Sequence, residues 1–353
     1  MKTKLIKLDE LEENQKNLKE AANILRNGGL VAFPTETVYG LGANGLNREA
    51  ANKIYIAKGR PSDNPLILHI ADLEEVDQLA TNISDDDRKV MEAFWPGPLT
   101  IILKKKECVP YETTGGLDTV AIRMPSHKVA RELIRMAGVA IAAPSANTSG
   151  RPSPTKAQHV MQDLNGKIDM IIDGGEVGIG IESTIVDLTG EVPTILRPGY
   201  VTKQMLEEVL HKEVQIDQAI LRKEGMNGVQ PKAPGMKYRH YAPKGKLTII
   251  DGQNIDKVIE TIKQLVEDKK KEGFVVGVIA TDESMKCYTD GVIKSIGSRL
   301  DEVSISSGLY RVLREFDDEG VNYIYSESFG VDEFGDAIMN RLLKAAGYDM
   351  IEV

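Results

Sequence analysis

The stretch KGRPSDNPLILHI, Lys58 to Ile70, holds the densest set of chemically useful side chains in the chain. Lys58, Arg60, Ser62, Asn64 and His69 sit on a glycine- and proline-stiffened loop that runs into an apolar strand. Arg offers oxyanions a planar fork and Lys a compact point charge, so two cations beside amide and hydroxyl donors suit a phosphate-bearing ligand. Alone, the segment reads equally as a basic surface loop. Four other segments change its weight.

PTETVYGLG, Pro34 to Gly42, sets Thr35, Glu36, Thr37 and Tyr39 where a strand end opens into a crevice, the usual ligand position in open α/β sheets. GGLDTVAIRMPSH ends an apolar strand on Arg123, a permanent cation at the sheet rim that calls for an anionic partner, either an internal Asp or a ligand carboxylate. In AAPSANTSGRPSPT an apolar strand runs into Ser145, Asn147, Thr148, Ser149, Gly150 and Ser153, a polar cradle for phosphate or ribose oxygens. The glycines of DGGEVGIGIESTIVD invite a dinucleotide reading, but the strand STIVD follows them where a pyrophosphate site needs a helix N-terminus. Ser183 and Thr184 read instead as donors at a cleft edge, and Arg197 in LRPG adds another strand-end cation.

The chain has no GxxxxGK[ST] loop, no GxSxG elbow and no HExxH, and its five histidines lack ligand spacing. Catalysis by an activated nucleophile is unsupported, leaving positioning and electrostatic stabilisation. His69, on LILHI, reads by default as a satisfied core histidine.

The elements that must hold these residues alternate. Helical spacing covers Leu11 to Arg26, with Gly28-Gly29 as a stop. Strands are expected at Leu30 to Phe33, Leu66 to Ile70, PLTIILKK, Thr119 to Met124, VAIAAPSAN, MIID, STIVDLTG and PTILRPG. Helices are expected at Asp72 to Ala80, Asp85 to Phe94, His127 to Ala137, Thr155 to Asn165 and Thr202 to Leu210. The pattern predicts an α/β domain with a mixed, twisted sheet over residues 1–216. From 217 to 246 the periodicity fails in a Gly-, Pro- and cation-rich run that ends in Tyr238, Arg239, His240 and Tyr241. It reads as a linker, either folded over a site or tacked to its own domain by its aromatics. Residues 247–353 repeat the alternation (LTIID, a charged helix, FVVGVIA, VIKSIG, a helix, NYIYSE, a closing helix), which predicts a smaller parallel sheet.

At 353 residues, 41% hydrophobic and 27% charged, the chain can bury two cores. Cys108 and Cys287 lie far apart without ligand spacing, so neither disulfide nor zinc is indicated. No segment approaches the length of a membrane span, and a cytoplasmic setting is expected. A net charge of -9 argues against broad binding along a nucleic-acid backbone.

Taken in order, PTETVYGLG, KGRPSDNPL with LHI, FWPGPLT, AIRMPSH, APSANTSGRPSPT, ESTIVD and LRPG resemble the YrdC-type threonylcarbamoyl-AMP synthases. APGMKYRHYAP and FGDAIMNRLLKAAG resemble the two-domain form of that family. The resemblance spans nearly the whole chain and implies a YrdC-like mixed-sheet catalytic domain, a covering linker and a Rossmann-like parallel α/β domain. It implies the condensation of L-threonine, bicarbonate or CO2, and ATP, with Mg2+ accompanying the nucleotide and no metal-ligating residues named. The product would pass to the machinery that transfers threonylcarbamoyl to tRNA. The resemblance further implies that Thr37, His69, Arg123 and Ser183 hold threonine, and that Lys58 and Arg60 act at the reacting phosphates. Arg60, Asn64, Thr119, Ser145, Asn147, Ser153, Arg197 and Tyr241 would hold ATP. An RNA-binding or ribosome-associated protein using the same basic cleft is the rival reading, with direct tRNA binding open. It predicts steeply salt-dependent, threonine-independent binding.

Overall fold

The computed structural model describes residues 2–8, 14–221, 231–234, 240–329 and 333–353. Its chain divides into two compact units. The first comprises Met1–Ser149, Pro154–Val177 and Glu182–Tyr238; the second comprises Gly150–Ser153, Gly178–Ile181 and Arg239–Val353. The expected division at 217 and 247 is therefore not a clean cut, because two short pieces of the first 216 residues group with the second unit. Among the described residues no helix is long and apolar enough to cross a membrane.

The first unit carries β1 (Lys4–Lys7), β2 (Val31–Phe33), β3 (Gly40–Asn44), β4 (Ile67–His69), β5 (Ala80–Thr81), β6 (Leu99–Lys105), β7 (Thr119–Arg123), β8 (Ile141–Ala142), β9 (Met170–Asp173), β10 (Thr184–Asp187), β11 (Thr194–Arg197) and β12 (Gln215–Ile216). They form one mixed sheet in the order β1-β9-β2-β3-β8-β4-β7-β6-β10-β11-β12, with β5 paired to β6. β1, β3, β5 and β12 have no counterpart in the sequence-based reading.

Neither does the helix Arg48–Lys58, and it moves a key residue. Asn47 caps its start by accepting from the Ala50 amide, Gly59 ends it in the left-handed conformation at φ 62°, and Lys58 is its last residue instead of the first of a loop. The region expected as a helix over 72–80 is a short 3₁₀ turn, Leu73–Glu75, one helical turn, Val76–Leu79, and then β5.

Helices pack on both faces of this sheet. Gln15–Arg26 and Lys128–Ala137 cover one face over β2, β8 and β9, with Leu18, Leu25, Phe33, Leu133, Ile141 and Met170 in their core. On the other face Ile54, Leu68, Val90, Ile101 and Ile122 belong to the larger core. Residues 11–13, at the start of the first expected helix, lie outside the described residues.

The second unit contains β13 (Lys246–Asp251), β14 (Val276–Ala280), β15 (Val292–Ser295), β16 (Tyr323–Glu327) and β17 (Met350–Glu352), all paired in parallel in the order β15-β14-β16-β13-β17. The parallel α/β class is as expected. The order counted within this unit, 3-2-4-1-5, departs from the 3-2-1-4-5 succession of the Rossmann fold, because the fourth strand inserts between the second and the first.

Candidate functional site

Strand register brings the candidate residues together. His69 on β4 pairs beside Arg123 on β7, and Ile67 beside Ala121. On the other side of β7, Ile102 pairs with Ala121, while Thr100 on β6 pairs with Ile185 on β10. Side chains alternate along a strand, so Thr119, Ala121 and Arg123 share one face with Ile67, His69, Thr100 and Ile102. This is the face that Gln15–Arg26 and Lys128–Ala137 cover farther along the sheet. Over β4, β7, β6, β10 and β11 it carries Ile67, Ile102, Ala121, Ile185 and Leu196, with Ala233 packed into the same cluster.

At one end of this face lies a charged group. Arg123, 4% exposed, donates from Nη1 to Thr37 Oγ1 at 2.9 Å and from Nε to the Gly97 carbonyl at 3.3 Å, and its Nη2 lies 2.7 Å from Glu36 Oε1. The anionic partner that Arg123 requires is thus internal, and it is a Glu from the PTETVYGLG segment, not an Asp. Burial is the largest single influence on the Glu36 carboxyl and raises its pKa, but the Arg123 charge, the Arg123 side chain and the Glu36 and Ser126 amides together hold it below its usual range. Thr37 is fixed in turn by a 2.8 Å hydrogen bond between its hydroxyl and that of Thr35.

His69 donates from Nδ1 to the Ile67 carbonyl at 3.1 Å. Burial, reinforced by the Arg123 charge, pushes its pKa down to about 3, so the imidazole is neutral at physiological pH. Beside this group the Ser183 hydroxyl shares a 2.7 Å hydrogen bond with Thr100 Oγ1 and accepts from Arg197 Nη2 at 3.1 Å, while Arg197 Nε donates to the Ser183 carbonyl at 2.9 Å. Thr100 was not singled out in the sequence. Its alternation with Ile102 in PLTIILKK is the signal that could have found it.

The other end of the face is a cradle. Thr119 lies four residues before Arg123, about 13 Å away along the strand. The Ala143 amide donates to the Ile67 carbonyl, which carries the turn after β8 toward the start of β4. There the buried Lys58 ammonium donates to the carbonyls of Ser145 and Asn147 and to Asn147 Oδ1, and the Ser145 hydroxyl donates to Asn147 Oδ1 at 2.5 Å. Arg60 holds the loop before β4 by donating to the carbonyls of Asn64 at 3.4 Å and Pro65 at 3.1 Å. Asn64 is 2% exposed with its Oδ1 unbonded, and Tyr55, pushed up to about 12 by burial, donates to the Asn64 carbonyl from behind.

Register and hydrogen bonds therefore gather Thr37, His69, Arg123, Ser183 and Arg197 at one end, and Lys58, Arg60, Asn64, Thr119, Ser145 and Asn147 at the other. Arg197 falls with Ser183, not in the cradle. Ser153 and Tyr241 belong to the second unit, where Tyr241 packs on Tyr310 with ring centroids 5.1 Å apart. Tyr238 and Arg239 lie outside the described residues. Among the described residues no three His, Cys, Asp or Glu side chains gather as a metal site.

Residues 23–199 match the Sua5–YciO–YrdC family model, described as "Telomere recombination", and residues 201–347 match the model described as "Threonylcarbamoyl-AMP synthase, C-terminal domain". The chain belongs to the Sua5–YciO–YrdC family. Within that family it is 47% identical to the threonylcarbamoyl-AMP synthase of Bacillus subtilis, over 96% of this chain and 95% of the relative. It is 48% identical to the synthase of Pyrococcus abyssi, over 95% and 96%. The crystal structure of Pyrococcus abyssi Sua5 complexed with L-threonine superposes with a TM-score of 0.92 at 45% identity, covering 100% of both chains. The two family models together span residues 23–199 and 201–347.

Proposed function

We propose that this chain is a threonylcarbamoyl-AMP synthase that joins L-threonine, bicarbonate or CO2, and ATP into threonylcarbamoyl-adenylate with release of pyrophosphate. The observation that carries the reading is the single sheet face with a buried Arg123 group at one end and the Lys58–Ser145–Asn147 cradle at the other. The spacing of about 13 Å along β7 suits an amino acid joined to a nucleotide.

In this reading Arg123 grips the threonine carboxylate, with Thr37, neutral His69 and Ser183 around the side chain and amine. Arg60, Asn64, Thr119, Ser145 and Asn147 hold ATP, while Arg197 braces Ser183 at the threonine end. The threonine amine captures CO2 as a carbamate, whose oxygen attacks the α-phosphorus in line as pyrophosphate leaves, making the enzyme a nucleotidyltransferase. Lys58 supports the step by fixing the cradle, and Arg60 supplies positive charge near the phosphates.

Mg2+ typically binds through substrate phosphates and water, so it would arrive on the triphosphate without a protein cage and help neutralise the leaving group. Ala233, from the expected linker, packs on this face and would help exclude water from a labile adenylate. The product would pass to the proteins that transfer threonylcarbamoyl to tRNA, in the cytoplasm. Purified protein incubated with ATP, labelled threonine and bicarbonate should release pyrophosphate together with a threonine-bearing adenylate. Pyrophosphate release that ignores threonine would refute the assignment.

A further inference from the structure

Four buried side-chain atoms without an aligned hydrogen bond fall on three neighbouring groups: both Glu36 carboxylate oxygens, Arg123 Nη2 and His127 Nδ1. Buried polar groups are nearly always bonded, so this concentration calls for an explanation. The 2.7 Å approach of Arg123 to Glu36 is an ion pair without hydrogen-bond alignment. The rest of Arg123 is committed, Nη1 to Thr37 and Nε to Gly97. Nη2 and the Glu36 carboxylate are held to each other by charge without an aligned hydrogen bond, and are the groups that a ligand can re-pair.

We propose that Glu36 accepts the α-ammonium of the incoming amino acid while Arg123, which Glu36 positions, takes its carboxylate, so that one buried ion pair reads both ends of a zwitterion. This rests on the reading of the face as an amino-acid pocket. Charge balance favours the exchange. The empty pocket holds one cation and one anion, and the occupied pocket adds one of each, so every buried charge keeps an opposite partner. The other titratable groups near Glu36 do not compete for the role. His69 is held neutral by burial and by Arg123, and burial likewise lowers the His127 pKa against the opposing pull of Glu36. His127 lies in a tight wall, since a Cβ at Gly174 would stand 2.8 Å from Pro34 Cγ and 3.6 Å from His127 Cε1. Among the described residues, Glu36 is the carboxylate that Arg123 pairs with, and so the anion placed to meet an ammonium there.

The test compares binding of L-threonine and of (R)-3-hydroxybutyrate, which keeps the carboxylate and β-hydroxyl but lacks the amine, to the full chain by calorimetry. The wild type should prefer threonine by about 100-fold or more, because a buried acceptor left unpaired penalises the analogue. Glu36→Gln should cut that preference below about tenfold, mostly by weakening threonine. Glu36→Asp, which keeps the charge on a shorter arm, should restore part of the preference, and it carries the test should the Gln variant not fold. An unchanged preference in Glu36→Gln, or equal loss of both ligands, overturns the role given to Glu36 alone. Failure of the wild type to bind threonine overturns the amino-acid pocket and this assignment with it.

Discussion

The two ends of the site face solve opposite problems with a buried cation. Lys58, 2% exposed, directs its ammonium to two backbone carbonyls and a side-chain amide, and in doing so locks the Ser145–Asn147 turn into shape. Arg123, 4% exposed, is anchored through two of its nitrogens and faces an imperfectly aligned Glu36 with the third. One cation is structural glue for a cradle; the other keeps one nitrogen that only an ion pair engages. Similar burial therefore does not imply a similar role, and the deciding evidence is which donors are already engaged.

Substitutions can break this contrast, the largest effect first. Lys58→Met should lower stability by about 3 kcal/mol, since it strips a charged donor from buried acceptors, and denaturant unfolding of the full chain reads it directly. A variant as stable as the wild type would remove Lys58 from the cradle's support. Arg123→Lys keeps the charge but loses the fork. It should weaken threonine binding by about 2 kcal/mol, roughly 30-fold, while stability moves by less than about 1 kcal/mol. Large unfolding with unchanged threonine affinity would reverse the contrast.

Smaller effects sharpen it. Ser183→Ala removes the hydroxyl that links Thr100 to Arg197 and should cost about 1 kcal/mol in threonine binding, measured by titration. The smallest effect at physiological pH concerns His69. Its folded pKa of about 3 lies below the ordinary 6.5, so the unfolded chain binds the extra proton as pH falls. Stability should therefore drop from pH 6.5 toward about 3, by up to about 1.4 kcal/mol per unit from this group. His69→Asn should flatten that slope, and an identical slope in the variant would show that other groups set it.

Much of the architecture was legible because apolar runs such as MIID, TIVD and VGVIA match buried strands closely. The helix Arg48–Lys58 was not, because its buried stripe is built largely from Ala50, Ala51 and Ala57, small residues with a weak apolar signal; Asn47 and Gly59 were the visible caps. β3 was hidden by its glycines, which read as irregular backbone. In the structure Gly42 is a packing requirement, since a Cβ there would meet Phe33 Cε1 at 2.8 Å and Ile141 Cγ2 at 2.9 Å. The site residues themselves stood out as polar groups at strand ends. The pairing of Glu36 with Arg123 did not, because it joins segments 87 positions apart that only the sheet order brings together.

The second unit borrows chain from far upstream. Arg314 donates to the Pro152 carbonyl at 2.5 Å, Ser306 to that of Ile179 at 2.6 Å, and Arg151 pairs with Asp317 at 3.2 Å. A Cβ on Gly180 would stand 2.3 Å from Ser307 Cα, so this approach of a loop to the helix Glu302–Asp318 tolerates no side chain. Amputating the polypeptide after residue 216 would accordingly strip those two loops of their seats, and an inactive remnant would report misplaced loops as readily as a missing cover. Point changes at Arg314 and Gly180 can separate the two causes where a truncation cannot.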